Sequence, residues 1–353
     1  MTHRSSTTLP FVSLVMPIRN EGAFIARALG AVLAQDYPRE RLEILVADGM
    51  STDQTRQIVV QHQARDARVR LIDNPGQFVA TGLNAALRAA RGDIIVRADG
   101  HCEIAPDYVR RCVQRLQHDK VDGVGGPIET IGETYVAQAI ALAMSSAFGV
   151  GGSAFRTVKD REMIVESVAF PAYTRRAVEM AGFFDEELIR NQDDEYNYRL
   201  CALGGRILLA PEIQSRYYSR SSLRSLWRQY FQYGFWKVRV MQKHLGQMRW
   251  RQFVPPLFVA ALFVALVLAL FSTLGQGLLA LVLGLYLLAN FVGSVITAAQ
   301  AGKGRLLPAL PVTFAILHLA YGLGFWRGLM KFRNRWNDRN THAQWEPMPS
   351  ATR

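Results

Sequence analysis

Short apolar runs alternate with longer stretches of helical periodicity along the first 120 residues of the chain. Each run has the length of a strand, and in each stretch that follows it apolar residues recur every three or four positions. The predicted strands cover residues 11–18, 42–47, 69–72 and 93–98, and the predicted helices cover residues 23–33, 52–64, 78–90 and 106–116. This βαβα order predicts a Rossmann-like α/β fold with a mostly parallel sheet, in which ligands bind beyond the carboxyl ends of the strands.

The pattern changes near residue 250. Three runs contain no Asp, Glu, Lys or Arg, at residues 253–271, 277–299 and 306–326. Each is long enough to cross a hydrocarbon layer of about 30 Å as a helix, which predicts a C-terminal α-helical membrane region. Three crossings would, however, separate two flanks that are both rich in the Lys and Arg typical of the cytoplasmic side. We therefore expect the third run either to span the membrane or to be re-entrant.

The chain accordingly divides into four predicted parts. Residues 1–220 form a catalytic domain, 221–252 amphipathic interfacial helices, 253–330 hydrophobic membrane segments and 331–353 a basic tail. Cations alternate with aromatic residues between positions 223 and 251, which is typical of helices in the headgroup layer, although an amphipathic helix packed on the domain core shows the same pattern. Residues 1–10 do not resemble a signal peptide, so we expect the large domain and the tail in the cytoplasm, at a bacterial-type inner membrane.

The net charge of +12 changes the expected partners. Its cations cluster beside the apolar runs and not on a nucleic-acid-binding motif, which favours membrane lipids as a partner and disfavours a nucleic acid polymer. Cys102, Cys112 and Cys201 are odd in number and lack paired spacing. They predict small buried side chains and neither a disulfide framework nor a zinc site.

Candidate chemistry lies where the predicted strands end. The first strand is not followed by the Gly-x-Gly-x-x-Gly turn of dinucleotide-binding enzymes, which disfavours hydride transfer. Asp48 ends the second strand and either contacts a nucleobase or belongs to a helix cap. Asp99 follows the fourth strand and suits Mg²⁺ or Mn²⁺, which take few oxygen ligands from protein and the rest from phosphates and water. His101 is either a second metal ligand or a structural histidine.

A third acidic cluster opens a predicted helix. Asp193, Asp194 and Glu195 lie in its first turn, where the positive end of the helix dipole favours acids. One of them is also a candidate general base for removing a proton from an acceptor hydroxyl. Spacing alone leaves that choice open.

Together these motifs resemble the family 2 glycosyltransferases, which have the A-type nucleotide-diphospho-sugar transferase fold, over about residues 12 to 240. Residues 15–21 resemble the opening strand and turn, 48–53 the Asp-Asp-Gly-Ser-Thr-Asp motif, 84–93 the approach to the metal motif, and 192–199 the Glu-Asp-x-Asp-Leu-x-x-Arg element. The resemblance implies an inverting transferase that uses a nucleotide-diphospho-sugar, with Asp193 as general base and Asp99 and His101 at the metal. It also implies a nucleotide-sugar site at Pro17, Arg19, Glu21, Asp48, Asn84, Arg97 and Asp99. Asp194, Glu195 and Arg199 are expected on the acceptor side or in its support.

The sequence departs from the family at two places. Arg97 replaces the leading acid of the Asp-x-Asp element, and residues 229–233 lack the Gln-x-x-Arg-Trp element of processive synthases, which implies one sugar per encounter. More narrowly, the chain resembles the ExoA-like succinoglycan-type glucosyltransferases. That resemblance implies transfer of a hexose such as glucose to a glycan linked to polyprenyl diphosphate. A polyprenyl-phosphate sugar transferase and a non-catalytic sugar-nucleotide-binding membrane scaffold are the alternatives.

Overall fold

The computed structural model describes residues 9–219 and 221–337, which form two compact units. The first unit comprises residues 9–129 and Val158–Tyr217, and the second comprises Thr130–Thr157 and residues 218–337. Thr130–Thr157 thus groups with the C-terminal helices, and the predicted catalytic domain over residues 1–220 stays a prediction. Of the predicted basic tail, residues 338–353 lie outside the described residues.

The predicted strands are confirmed as the core of the first unit. The strands of the chain are β1 Val12–Ile18, β2 Leu42–Asp48, β3 Val69–Asp73, β4 Ile94–Arg97, β5 Cys102–Ile104, β6 Gly123–Gly126, β7 Ile128–Ile131, β8 Met163–Val165, β9 Ala169–Thr174, β10 Ile207–Leu209 and β11 Ser215–Tyr218. Eight of them form one sheet in the order β3-β2-β1-β4-β9-β6-β10-β8, and β5, β11 and β7 form a second, smaller sheet. Strands β1 and β2 are buried along their whole length and are mostly apolar, interrupted by Ser13 in β1 and by Glu43 and Asp48 in β2.

The sheet is mostly parallel, as predicted. Strand β1 pairs in parallel with both β2 and β4, and β2 pairs in parallel with β3. Strand β9 runs antiparallel between β4 and β6, and β8 runs antiparallel to β10 at the edge. Strands β2 and β3 lie on one side of β1 and strand β4 lies on the other, so the order of the strands reverses between β1 and β4. The ligand crevice is therefore expected at the carboxyl ends of β1 and β4.

The helices follow the predicted apolar periodicity. They are α1 Ile25–Leu33, α2 Thr55–Arg65, α3 Val79–Ala89, α4 Tyr108–His118, α5 Tyr135–Met144, α6 Ala147–Val150, α7 Ala154–Thr157, α8 Arg175–Ala181, α9 Gln192–Ala202, α10 Leu223–Lys243, α11 Val254–Ala269, α12 Thr273–Gln300 and α13 Leu310–Lys331. In α1 the residues at spacings of three and four, Ile25, Ala28, Leu29 and Val32, are the buried ones. The first four helices coincide with the four predicted from the sequence.

The second unit is helical. Helices α10 and α13 lie in close contact because each has a glycine where they meet. A Cβ on Gly234 would lie 2.0 Å from the Tyr321 carbonyl oxygen, and a Cβ on Gly324 would lie 2.1 Å from the Phe231 carbonyl oxygen. Among the described residues, two helices are long and apolar enough to cross a membrane, Trp250–Ala269 and Thr273–Gln300. Helix α13, which contains the third apolar run, is not one of them, so its span or re-entrance stays a prediction.

Candidate active site

Three loops at the carboxyl edge of the sheet are bound to one another. The Asn20 amide N–H, after β1, donates to Ser51 Oγ at 2.9 Å, and the Thr52 amide N–H, after β2, donates to Asn20 Oδ1 at 2.9 Å. Arg19 Nη1 donates to the carbonyl oxygen of Gln77, in the loop after β3, at 3.4 Å. The loops of three neighbouring parallel strands thus form one connected surface at the edge where ligands bind in such sheets.

Several residues around this edge have strained backbone. Asn20, Met50, Gln77 and Asn191 have φ angles of 52°, 55°, 63° and 62°, in the left-handed region that non-glycine residues seldom adopt. Such conformations cost about 1–3 kcal/mol each and cluster at functional sites, where the surrounding structure holds them. Three of the four lie in the connected loops, and the fourth precedes α9.

Asp48 holds the loop after β2 together. Its carboxylate is fully buried, accepts a hydrogen bond from Ser51 Oγ at 2.5 Å and pairs with Arg56 Nη1 at 3.1 Å. Arg56 in turn pairs with Asp73, at the end of β3, at 2.7 Å. In this structure the Asp48 oxygens are bonded within the loop, and the expected contact of Asp48 with a nucleobase stays a prediction.

Glu21 and His101 form a hydrogen-bonded pair beside Asp99. Glu21 Oε1 lies 2.9 Å from His101 Nδ1, and a Cβ on the intervening Gly100 would lie 2.9 Å from Glu21 Cγ, so glycine permits this approach. Burial by itself lowers the pKa of His101, but the hydrogen bond to Glu21, with the charges of Tyr217, Glu21 and Asp99, raises it to about 9. The carboxylate fixes the ring through Nδ1 and leaves Nε2 as the nitrogen available to a ligand.

Arg97 connects the two aspartates that the sequence singles out. Its guanidinium donates to both carboxylate oxygens of Asp99, at 2.9 and 3.2 Å. Burial opposes the charge on Arg97, but the charge of Asp99 and next that of Asp193 raise its pKa well above the usual range. Asp99 and Asp193, which are 94 positions apart in the sequence, therefore act on the same buried side chain. The expectation that both belong to a single site stays a prediction, which this shared electrostatic influence on Arg97 favours.

Helix α9 presents Asp193 in its first turn. The half-buried Asp193 accepts the Asp194 amide N–H at 3.0 Å, at the positive end of the helix. The neighbouring Gln192 is buried, and its Oε1 has no hydrogen-bond partner in the described part of the chain. A buried oxygen without a partner is where a ligand donor is expected. The sequence contained Gln192 only as part of a motif, and nothing in the pattern signalled this oxygen.

Glu195 and Arg199 form a buried ion pair on the other face of α9. Arg199 Nε and Nη2 donate to the two Glu195 carboxylate oxygens at 3.0 and 2.9 Å. Arg199 also donates to the carbonyl oxygens of Ala181, the last residue of α8, and of Phe183, just after that helix. Glu195 is fully buried and Arg199 nearly so. Of the two expectations for this pair, contact with the acceptor or support of that side, the geometry favours support.

Two residues expected to bind the nucleotide sugar are packing residues. Asn84 is buried and donates to the Phe184 carbonyl oxygen at 2.9 Å and to Glu186 at 2.8 Å, while its own oxygen accepts the Phe184 amide N–H at 2.8 Å. Pro17 is buried in β1, and a Cβ on Gly82 in α3 would lie 3.2 Å from its Cβ. Their predicted contacts with the nucleotide sugar stay predictions, and in this structure both side chains are buried. Arg19, by contrast, is exposed on the loop.

The sequence predicts two protein ligands for a metal, Asp99 and His101. Among residues 9–219 and 221–337 there is no group of three or more His, Cys, Asp or Glu side chains placed to hold a metal. The three cysteines add nothing to such a site: Cys102 and Cys112 are buried as predicted, whereas Cys201 is only half-buried. Cys102 Sγ instead accepts the Asp99 amide N–H at 3.2 Å, which fixes the loop that carries Asp99.

Comparison with known proteins agrees with this architecture. Residues 13–179 match the family model of glycosyl transferase family 2. The chain is 31% identical over 324 residues to the succinoglycan biosynthesis protein ExoA of Rhizobium meliloti, which covers 91% of this chain and 96% of that protein. It is 28% identical over 329 residues, 91% of this chain and 98% of the relative, to the dolichyl N-acetyl-alpha-D-glucosaminyl phosphate 3-beta-D-2,3-diacetamido-2,3-dideoxy-beta-D-glucuronosyltransferase of Methanococcus voltae.

A solved structure shares the fold. The mannosyltransferase PcManGT of Pyrobaculum calidifontis, in complex with GDP-Man and Mn²⁺, superposes with a TM-score of 0.57 at 21% identity, covering 91% of this chain and 88% of that one. The sheet, the connected loops and these similarities define a glycosyltransferase of the A-type fold. The chain belongs to glycosyltransferase family 2 and is an enzyme of that family.

Proposed function

We propose that this enzyme transfers a hexose such as glucose from a nucleotide diphosphate to a lipid-linked glycan, with inversion and one sugar per encounter. The names of two relatives support the acceptor class, since one refers to succinoglycan biosynthesis and the other to a dolichyl sugar phosphate. Both alignments cover at least 96% of the relative's length and 91% of this chain, so the similarity includes the C-terminal helices. Two helices that can cross a membrane suit an acceptor that is itself held in the bilayer.

The donor belongs at the connected loops of the sheet edge. The exposed Arg19 and the Asp48-supported turn lie on that surface, and the fold neighbour binds GDP-Man. The sequence motifs imply a nucleotide-diphospho-sugar but do not choose its base or sugar. We place the catalytic domain on the cytoplasmic side of a bacterial-type inner membrane, because the flanks of the apolar runs are rich in Lys and Arg.

The residues present fit a divalent metal, Mg²⁺ or Mn²⁺. Asp99 would supply a hard oxygen ligand, and His101 would supply Nε2 when the metal displaces its proton, since Glu21 occupies Nδ1. A carboxylate that orients a ligating histidine in this way is a common outer shell of metal sites. Two protein ligands suffice where substrate phosphates and water supply the rest. A bound metal would neutralise charge on the departing diphosphate.

Asp193 is proposed as the general base. Its carboxylate removes the proton from the acceptor hydroxyl as that oxygen attacks the anomeric carbon from the face opposite the nucleotide. Arg97 is hydrogen-bonded to Asp99, and the charge of Asp193 acts on the same guanidinium, which supports placing the base and the metal-binding carboxylate near one another. This shared arginine is the observation that carries the proposal, because it connects the acceptor chemistry on α9 to the donor chemistry after β4.

The test is Asp193→Asn in the full-length enzyme. Loss of a general base costs about 10² to 10⁴ in rate, so transfer of radiolabelled sugar into the lipid fraction should fall by that factor. Binding of the nucleotide sugar should stay close to wild type, which separates the loss of the base from misfolding.

An Asp193→Asn enzyme that transfers at the wild-type rate would exclude this mechanism. Transfer to a bare polyprenyl phosphate needs no proton removed from a hydroxyl, so that result would favour the polyprenyl-phosphate alternative. Incubation with a panel of nucleotide sugars and either metal identifies the donor.

A further inference from the structure

The second unit is strongly basic. From Ile213 to Asn337 the sequence contains fifteen Lys and Arg residues and neither Asp nor Glu. Within the described residues of that unit, Glu133 is the only acidic residue. A protein region that lacks its own counterions attracts anionic partners, with a strength that falls as salt rises. The question is where such an anion would bind specifically.

A glycine loop in this unit has the shape of an anion site. Gly151 and Gly152 follow α6 with φ angles of +62° and +78°, a conformation in which a side chain is strained. A helical residue followed by a left-handed one directs successive backbone N–H groups toward a common concavity, which binds anions. The Gly151 N–H is bonded to the Ala147 carbonyl oxygen at 2.9 Å. Those of Gly152 and Ser153 have no acceptor in the described part of the chain.

Arg251 lies against this loop. A Cβ on Gly152 would be 3.5 Å from Arg251 Nη1, and one on Gly151 would be 3.5 Å from its Cδ. The guanidinium therefore lies beside the N–H groups of the concavity. Arg251 is exposed, and its guanidinium has no hydrogen-bond or ion-pair partner within the described residues. Backbone N–H groups beside a guanidinium fork are the donors that phosphate oxygens require.

The loop is fixed to helices of the apolar region. His318 Nε2 donates to the Phe148 carbonyl oxygen at 2.9 Å, and the Tyr286 hydroxyl lies 3.1 Å from His318 Nδ1. The Phe148 ring also lies on α12, where a Cβ on Gly293 would be 2.8 Å from it. Arg251 directly precedes α11, next to Trp250, which is 79% exposed. Exposed Trp and Arg at the start of an apolar helix are typical of the membrane interface. An anion bound here would lie at headgroup depth.

We propose that the Gly152 and Ser153 N–H groups and the Arg251 guanidinium bind the phosphate through which the acceptor is attached to its isoprenoid lipid. The identity of that ligand rests on the function proposed above. An ordinary phospholipid headgroup offers similar oxygens, but attraction to bulk lipid needs only diffuse charge, which Arg249 and the other interfacial cations already provide. The specific geometry at Arg251 suits one phosphoryl group held in place.

The experiment measures binding of farnesyl diphosphate to the full-length protein in neutral detergent. Arg251→Ala should weaken binding about tenfold or more, since it removes charge-assisted hydrogen bonds. Arg249→Ala, which removes the same charge two residues earlier, should change binding less than about threefold, as for an exposed charge. Farnesol should bind with no dependence on Arg251. Arg251→Lys should bind with intermediate strength, because it keeps the charge and loses the fork.

Three results would overturn the site: equal losses in the Arg249→Ala and Arg251→Ala proteins, an unchanged affinity in the Arg251→Ala protein, or displacement of farnesyl diphosphate by phosphatidylglycerol at equal concentration. The first and third would indicate attraction to bulk headgroups. Because the assay requires no sugar transfer, the Asp193→Asn protein should bind the probe normally. A failure of the proposed general base and a failure of this phosphate site are therefore separate outcomes.

Discussion

The Arg97 guanidinium and the Asp99 carboxylate form a two-point hydrogen-bonded pair, at 2.9 and 3.2 Å, where relatives of this fold class were expected to carry two acids. Arg97 is 8% exposed, and the charge of Asp193 also raises the pKa of its guanidinium. Two carboxylates close to one buried point would repel each other, and a permanent cation between them offsets that repulsion. The departure from the Asp-x-Asp pattern therefore places a cation, hydrogen-bonded to Asp99 and within electrostatic range of Asp193, at the position of one acid.

Replacing Arg97 by Gln should lower the transfer rate by about ten- to a hundredfold, the usual range for residues that orient a ligand. The substitution preserves much of the side chain but removes the charge that Asp99 and Asp193 share. The measurement is the initial rate of sugar transfer at saturating donor, with nucleotide binding as a check on folding. The transfer rate of the Arg97→Lys enzyme should lie between those of the Arg97→Gln and wild-type enzymes, because lysine keeps the charge but cannot form the two-point hydrogen bond. A wild-type rate in the Gln enzyme would show that the arginine has no role in the site.

Glu21→Gln and His101→Ala test the proposed metal site. If His101 Nε2 is a ligand and Glu21 orients the ring, each substitution should raise the Mn²⁺ concentration needed for half-maximal activity by about ten- to a hundredfold. His118→Ala is a matched control, since that histidine is 83% exposed and pairs only with its neighbour Asp119. An unchanged Mn²⁺ requirement in the His101→Ala enzyme would leave His101 with a structural role.

The sheet was predictable where the signal is local. Strands β1 to β4 and the helices between them follow from apolar runs and helical periodicity within about 120 residues. Strand β9 was not predicted, because its antiparallel place between β4 and β6 depends on partners far away in sequence. The assignment of Thr130–Thr157 to the helical unit was missed for a similar reason: α5 is short and apolar, and only its packing shows which unit it joins.

The candidate site was predictable in its chemistry and less so in its geometry. Asp99 and Asp193 stood out because acids at strand and helix ends suit metal and general-base roles. Asp48 and Asn84 stood out by the same motif logic, yet both are buried and use their oxygens within the protein. A polar residue at a strand end binds a ligand or holds a loop, and the sequence does not contain the burial that separates the two.

Breaking the buried Glu195–Arg199 pair should destabilise the protein strongly. Glu195→Gln leaves the Arg199 charge without a full partner in a site where the two side chains are 0% and 3% exposed, and such losses cost about 3–5 kcal/mol. The measurement is thermal unfolding of the full-length protein in detergent. Glu129→Gln removes one partner of the exposed pair with Arg216, about 60% exposed on both sides, and should cost less than about 1 kcal/mol. Equal melting temperatures for the two variants would contradict the supporting role of this pair.

The pKa of Asp66 determines part of the pH dependence of the free energy of unfolding. Hydrogen bonds from the Arg68 side chain, at 2.8 to 3.3 Å, lower the pKa of Asp66 to about 2, and the charge of Arg39 acts in the same direction. The ordinary pKa of Asp in an unfolded chain is about 3.9. Because the folded pKa is the lower one, the stabilisation is fully present above about pH 4 and is lost as the pH falls through about 2.

The Asp66→Asn protein should accordingly unfold at a lower temperature than wild type at pH 7, and the difference should shrink steadily between about pH 4 and pH 2. Asp36→Asn is the control: it also removes one carboxylate paired with an arginine, Arg110, but that pair is about 40% exposed on both sides and contributes little. Melting curves of the three proteins across this pH range give the answer. A difference between wild type and Asp66→Asn that is independent of pH would mean that the carboxylate stabilises the fold through packing and not through its charge.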